Sequence, residues 1–205
     1  MNINFKILAF LMPMLLFAMS ASAIDINDYG DFSSRSLIMS GQKNELSQEQ
    51  KDLLLSKKLS PTTKCLIEQI KKKNNSNVEL LLNSNVNPNK NYMAEYPIYI
   101  AAKENNFEAV KMLYEKGAKL DRGFNSELYE ALRHKNSQMA QYLLDRKANI
   151  KYQDAITENT ILYMALKNNM IPIAQQLIDK GIGADRKSVI LIKKKKLEYL
   201  IKDRM

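Results

Sequence analysis

One unit recurs along this chain and restricts its fold more than any other feature. Its clearest copy runs Tyr96-Pro97-Ile98-Tyr99-Ile100-Ala101-Ala102-Lys103, then Glu104-Asn105-Asn106, then Phe107-Glu108-Ala109-Val110-Lys111-Met112-Leu113-Tyr114-Glu115-Lys116-Gly117-Ala118. Pro97 stands where the first turn of a helix has no use for a backbone N–H, and Gly117 where a helix end takes a left-handed residue. Val110, Leu113 and Tyr114 recur at helical spacing and make an apolar stripe. The small pair Ala101-Ala102 lets a neighbouring backbone come close. The pattern predicts a helix, a short break and a second helix. Such a hairpin buries too little alone and needs copies of itself beside it.

The copies are present. Ser126-Glu127-Leu128-Tyr129-Glu130-Ala131-Leu132 leads to Tyr142-Leu143-Leu144-Asp145-Arg146-Lys147-Ala148, and Thr160-Ile161-Leu162-Tyr163-Met164-Ala165-Leu166 leads to Gln176-Leu177-Ile178-Asp179-Lys180-Gly181-Ile182. A looser copy upstream joins Cys65-Leu66-Ile67-Glu68-Gln69-Ile70 to Leu80-Leu81-Leu82-Asn83-Ser84-Asn85-Val86. Leu81, Leu113, Leu143 and Leu177 lie 32, 30 and 34 residues apart. A helix–turn–helix unit with a period of about 33 resembles the ankyrin repeat, whose signature reads T-P-L-H-x-A-A and later L-L-x-x-G-A. The resemblance is close over residues 91–182 and looser over 61–90. It departs where the usual histidine is replaced by Tyr99, Tyr129 and Tyr163, so the hydrogen bonds that residue makes between loops must be replaced or lost. Tetratricopeptide repeats have a similar length, but their Trp and Gly/Tyr pattern is absent.

The resemblance implies an all-α solenoid of stacked helix pairs over residues 61–186. Ser47 with Gln50 three residues on reads as a capping box, so a helix is expected there that covers the open end of the stack. Ser60-Pro61 reads as a second helix start. Residues 24–60 are therefore expected to be irregular and then to form an N-terminal helical extension. Residues 187–205 are read as a short, truncated C-terminal cap, with helical pieces at 188–192 and 197–202 joined by the lysines of 193–196.

Residues 1–23 differ in kind. Lys6 precedes an apolar run over residues 7–19, and Ala21-Ser22-Ala23 supplies the small residues of a cleavage site. This predicts a Sec-type signal peptide cut before Ile24. The run is too short to span a membrane core of about 30 Å, and no cysteine follows it to carry a lipid. A periplasmic protein without a stable membrane anchor is expected, secretion being the alternative. The one cysteine, Cys65, excludes an intramolecular disulfide and falls at the proline position of its repeat, where a buried small residue is expected.

An active site needs a constellation, and none can be assembled. The chain has one histidine and one cysteine, with no zinc-ligand spacing, phosphate loop or nucleophile elbow. A protein that is not an enzyme, and holds no cofactor or metal, is expected. The lysine clusters at 71–73 and 193–196 lack interleaved aromatics, so nucleic acid is not an expected partner.

Binding residues are sought on the exposed side of each first helix and at the loop tips, as the resemblance implies. With the repeats aligned on the Ala101-Ala102 pair, the residue after it is Lys71, Lys103, Arg133 and Lys167 in successive repeats, a basic ladder suited to an acidic protein surface. The next position carries Lys72, Glu104, His134 and Asn168, of which Glu104 and His134 are candidate contacts. Tyr92, Met93, Phe124 and Ile156 at the loop tips are candidate apolar anchors. The expected function is that of an exported protein-binding module. Its favoured form is an immunity protein that neutralises a secreted antibacterial toxin, such as a type VI effector, by direct binding. The alternatives are a regulatory or protective factor for a periplasmic enzyme and a secreted effector aimed at host proteins.

Overall fold

The computed structural model describes residues 46–202. The leader expected over residues 1–23 and the stretch that follows it to residue 45 lie outside the described residues. Among those described are ten α-helices, one 3-10 helix and two isolated bridges, with no strand. Helix α1 is Gln48–Ser56, followed by four helix pairs. These are α2 (Thr63–Lys71) with α3 (Asn75–Asn83), α4 (Pro97–Lys103) with α5 (Phe107–Glu115), α6 (Glu127–Arg133) with α7 (Ser137–Asp145), and α8 (Ile161–Lys167) with α9 (Ile171–Asp179). Helix α10 (Arg186–Lys194) and a 3-10 turn at Glu198–Leu200 close the chain. None of these helices is long and apolar enough to cross a membrane.

The helix starts follow from side chains that satisfy the free N–H groups of a first turn. Thr62, Ser126 and Thr160 accept from Cys65, Tyr129 and Tyr163 at the heads of α2, α6 and α8, while α4 uses Pro97 instead. Asn74, Asn106 and Asn136 do the same for α3, α5 and α7. Ser47 and Gln50 form the expected reciprocal capping box on α1. The start expected at Ser60-Pro61 is displaced by two residues. Thr62 is the cap, because its hydroxyl accepts the Cys65 N–H at 3.2 Å, and Pro61 stays outside the helix.

The turn inside each pair is built the same way. Lys73, Asn105, Lys135, Asn169 and Lys196 are all left-handed, with φ between 52° and 60°. A side chain there costs about 1–2 kcal/mol, and glycine avoids that cost while losing about 0.5–1 kcal/mol of extra chain entropy. Lys135→Gly is therefore expected to stabilise the protein by roughly 0.5–1 kcal/mol, read from the midpoint of urea unfolding.

The first helices pack on one another in sequence, α2 on α4, α4 on α6, α6 on α8 and α8 on α10. The second helices meet more sparsely. Small residues permit the close inner approach: Ala101, Ala102, Ala131 and Ala165 are fully buried. The four leucines that mark the period, Leu81, Leu113, Leu143 and Leu177, are fully buried as well.

At the N-terminal end α1 inserts Leu54 and leaves Leu53 and Leu55 exposed. Gln50 and Lys57 tie it to α3 through the Asn83 carbonyl and the Asn77 side chain. At the other end Ile192 and Leu200 are buried, while Ile190 and Tyr199 stay exposed. Lys193 and Lys194, expected in a connection, lie in the last turn of α10. Their charge suits the free carbonyls of a helix C-terminus.

Candidate functional site

The basic ladder exists as a row. Lys71, Lys103, Arg133 and Lys167 each end a first helix and are each exposed. Two rungs carry partners of their own. Lys71 Nζ lies 2.8 Å from Glu95 Oε2, and Arg133 Nε lies 2.6 Å from Glu130 Oε2. Among the described residues, Lys103 and Lys167 have no carboxylate partner, and Lys167 lies 5.9 Å from the Tyr163 ring centroid. The Lys71–Glu95 pair is largely exposed and of a kind that contributes about 0–1 kcal/mol, so a partner's carboxylate can replace Glu95 at little cost, whereas Glu130 is buried and keeps Arg133 engaged.

The next position behaves differently from a free surface. His134 is half-buried, and its Nε2 lies 2.7 Å from the Lys103 carbonyl of the preceding repeat. The same nitrogen lies 3.1 Å from Arg133 Nη2; with Nε2 protonated it donates to the carbonyl, and the longer Arg133 contact is then not a hydrogen bond. Asn168 Nδ2 donates to the Leu132 carbonyl at 2.7 Å, and Lys195 Nζ to the Leu166 carbonyl at 2.7 Å. These side chains satisfy carbonyls at helix ends one repeat back. His134, expected to face solvent or a partner, is thus engaged between repeats. Glu104 is half-buried at the C-cap of α4.

Two of the three tyrosines that replace the repeat's histidine also reach across repeats. Tyr99 Oη donates to Glu130 Oε1 at 3.2 Å, and the Tyr129 and Thr157 hydroxyls lie 3.4 Å apart. Burial, then the Glu130 charge, pushes the Tyr99 phenol well above its ordinary range. It is a donor at any ordinary pH.

The loop tips carry the apolar anchors. Met93, Phe124 and Ile156 are 80%, 97% and 92% exposed, one on each of three successive loops. The Met93 and Ile156 loops are held by their own bonds. Tyr92 and Glu95 exchange two backbone hydrogen bonds at 3.0 Å, which turns Met93 and Ala94 out with φ of 52° and 62°. Gly123, with φ of 78°, precedes Phe124. Asp154 accepts from the Thr157 N–H at 2.7 Å and the Thr157 hydroxyl at 2.6 Å, and those bonds hold its carboxyl below the usual range. Tyr92, expected among the exposed anchors, is half-buried and packs against the core, because the bridge with Glu95 fixes its backbone.

Beneath the Phe124 tip lies a feature that sequence reasoning passed over. Glu127 is 1% exposed, and its Oε2 accepts the Asp121 N–H at 3.0 Å. Asp121 Oδ2 accepts the Asn149 N–H at 2.7 Å, while Oδ1 is buried with no partner. Burial above all, with the Asp121 charge adding, pushes the Glu127 carboxyl up to about 7. The available signal was phase, since Glu127 occupies the position of the buried Pro97 and Ile161.

Among the described residues no three acidic, histidine or cysteine side chains are grouped to hold a metal ion. The arrangement presents exposed apolar loop tips and exposed cations at the ends of successive first helices.

Residues 66–154 match a family model described as ankyrin repeats (3 copies). Over 88 residues the chain is 35% identical to the BRCA1-associated RING domain protein 1 of Caenorhabditis elegans. That stretch takes in 41% of this chain and 12% of that protein.

Proposed function

The chain is an ankyrin-repeat protein, a protein–protein interaction module, and from that premise we propose that it grips one protein partner through its loop tips and the adjoining basic ladder. The observation that carries the reading is the set of three exposed apolar side chains, Met93, Phe124 and Ile156, on consecutive loops. Exposed apolar side chains amid polar loop residues are the kind of group that interfaces use as anchors. The uncompensated Lys103 and Lys167 favour an acidic partner surface.

The specific role we propose is neutralisation of a toxic effector in the periplasm by covering its working surface. Two features support this form: the leader-like residues 1–23 and a charged face that can occlude an active site. Regulation of a resident envelope enzyme is the competing role.

The test is capture by the purified protein of effectors encoded beside its gene, at two salt concentrations. A stoichiometric complex that weakens with salt is expected, together with protection of cells that express the chain. The Met93→Ser, Phe124→Ser, Ile156→Ser triple variant is expected to bind at least a hundredfold more weakly while unfolding at the same urea concentration. Capture of a resident enzyme without protection from any toxin overturns the immunity role. Undiminished binding by the triple variant overturns the loop-tip interface.

A further inference from the structure

Away from the loop tips, the outer faces of α5 and α7 carry an aromatic cluster. The Phe107 and Tyr142 rings lie 5.4 Å apart and the Tyr114 and Tyr142 rings 6.1 Å apart, both edge to face. The Arg146 guanidinium sits 3.3 Å from the Tyr142 ring centroid and 5.1 Å from that of Tyr114. Its Nη1 donates to the Tyr142 carbonyl at 3.2 Å. Its Nε is buried and has no partner, and the Tyr142 hydroxyl is in the same state.

Beside this stack runs an open groove of about 430 Å³, lined by Tyr114, Gly117, Ala118, Lys119, Leu120 and Arg146. Among the described residues no carboxylate lines it. Asp145 instead accepts from Gln141, and Glu115 is exposed outside the lining. The nearby Lys111 is answered by Glu108 at 2.7 Å. Lys119 and Arg146 have no carboxylate partner among the described residues.

We propose that this groove between repeats two and three docks an acidic side chain of a protein partner, with a neighbouring apolar side chain seated beside it. The inference rests on the reading of the chain as a protein-binding module and adds a second contact to it. The Arg146 guanidinium lines the groove, and a carboxylate, which only accepts, is the complement of its Nη donors. Lys119 supplies a second cation at the groove. Ala118, Leu120 and the Tyr114 ring form an apolar wall, which suits a peptide better than a bare inorganic anion.

The probe is the capped dipeptide leucyl-glutamate amide, compared with its uncharged twin leucyl-glutamine amide, titrated into the isotope-labelled protein. Amide shifts at residues 117–120 and 146 are expected to saturate with the glutamate peptide and to need at least fivefold more of the glutamine peptide. Lys119→Gln is expected to weaken the glutamate peptide at least threefold and Arg146→Gln to erase its effect. Should Arg146→Gln unfold the protein, the exposed Lys119 decides the matter. Equal binding of the two peptides, indifference to Lys119→Gln, or inorganic phosphate binding as well as the glutamate peptide overturns the proposal. These outcomes involve neither the loop tips nor the ladder, so the proposed function stands or falls separately, on the capture experiment.

Discussion

Glu127→Gln is expected to stabilise the protein by on the order of 3 kcal/mol at pH 8 and by nothing measurable at pH 4. The folded carboxyl is pushed up from 4.5 to about 7, first by burial. Each unit of such a shift is worth about 1.4 kcal/mol. Because the pKa is raised on folding, the folded state binds more protons than the unfolded state between these two values. Stability therefore falls as pH rises through that window, and the full cost is present above it. Glutamine keeps an oxygen for the Asp121 N–H and carries no charge to desolvate. It also brings an amide donor to the neighbourhood of Asp121, whose Oδ1 is buried and unpaired. Urea unfolding of both proteins between pH 4 and pH 8 measures this. Parallel pH profiles for the two proteins would show that Glu127 is not the group responsible.

The second large effect is expected from Leu143→Ala, at a cost of about 3–4 kcal/mol. Leu143 is fully buried in α7, in the third of four pairs. In a stack, stability is a sum of repeat and neighbour terms, so damage to an inner repeat weakens its coupling on both sides. The urea transition is expected to shift to lower concentration and to broaden as the two flanks begin to unfold separately. Leu200→Ala, in the terminal 3-10 turn, is the contrast. It should trim the cap while leaving the main transition sharp.

The helix pairs were legible in the sequence because each had to bury one stripe at a fixed period. Leu81, Leu113, Leu143 and Leu177 announce that period, and each is fully buried. Capping was legible where only one candidate stood at the right offset, as with Ser47 and Gln50. It was misread where Ser60, Pro61, Thr62 and Thr63 crowd together, since spacing does not say which oxygen meets an N–H. The exposed tips at Met93, Phe124 and Ile156 were legible as apolar residues amid turn formers. The role of His134 was not, because its acceptor is a carbonyl 31 residues back in the chain. The pairing of Lys71 with Glu95 was hidden for the same reason, as was the burial of Glu127, an acid in a first helical turn that ordinarily sits in water. Local pattern reports which face a residue takes and not what faces it.

The unequal contact of the two helix layers has a mechanical consequence. An inner row of helices touching at every step resists compression, while a sparsely joined outer row yields easily to stretching. Such a body flexes as a leaf spring does, about its inner layer, with the strain shared over all the joints. The separations among Met93, Phe124 and Ile156 then vary with the bend, which would give the proposed loop-tip interface an adjustable span. A partner that fits the relaxed span stores no elastic energy in the stack, and one that does not must do work on every repeat it crosses.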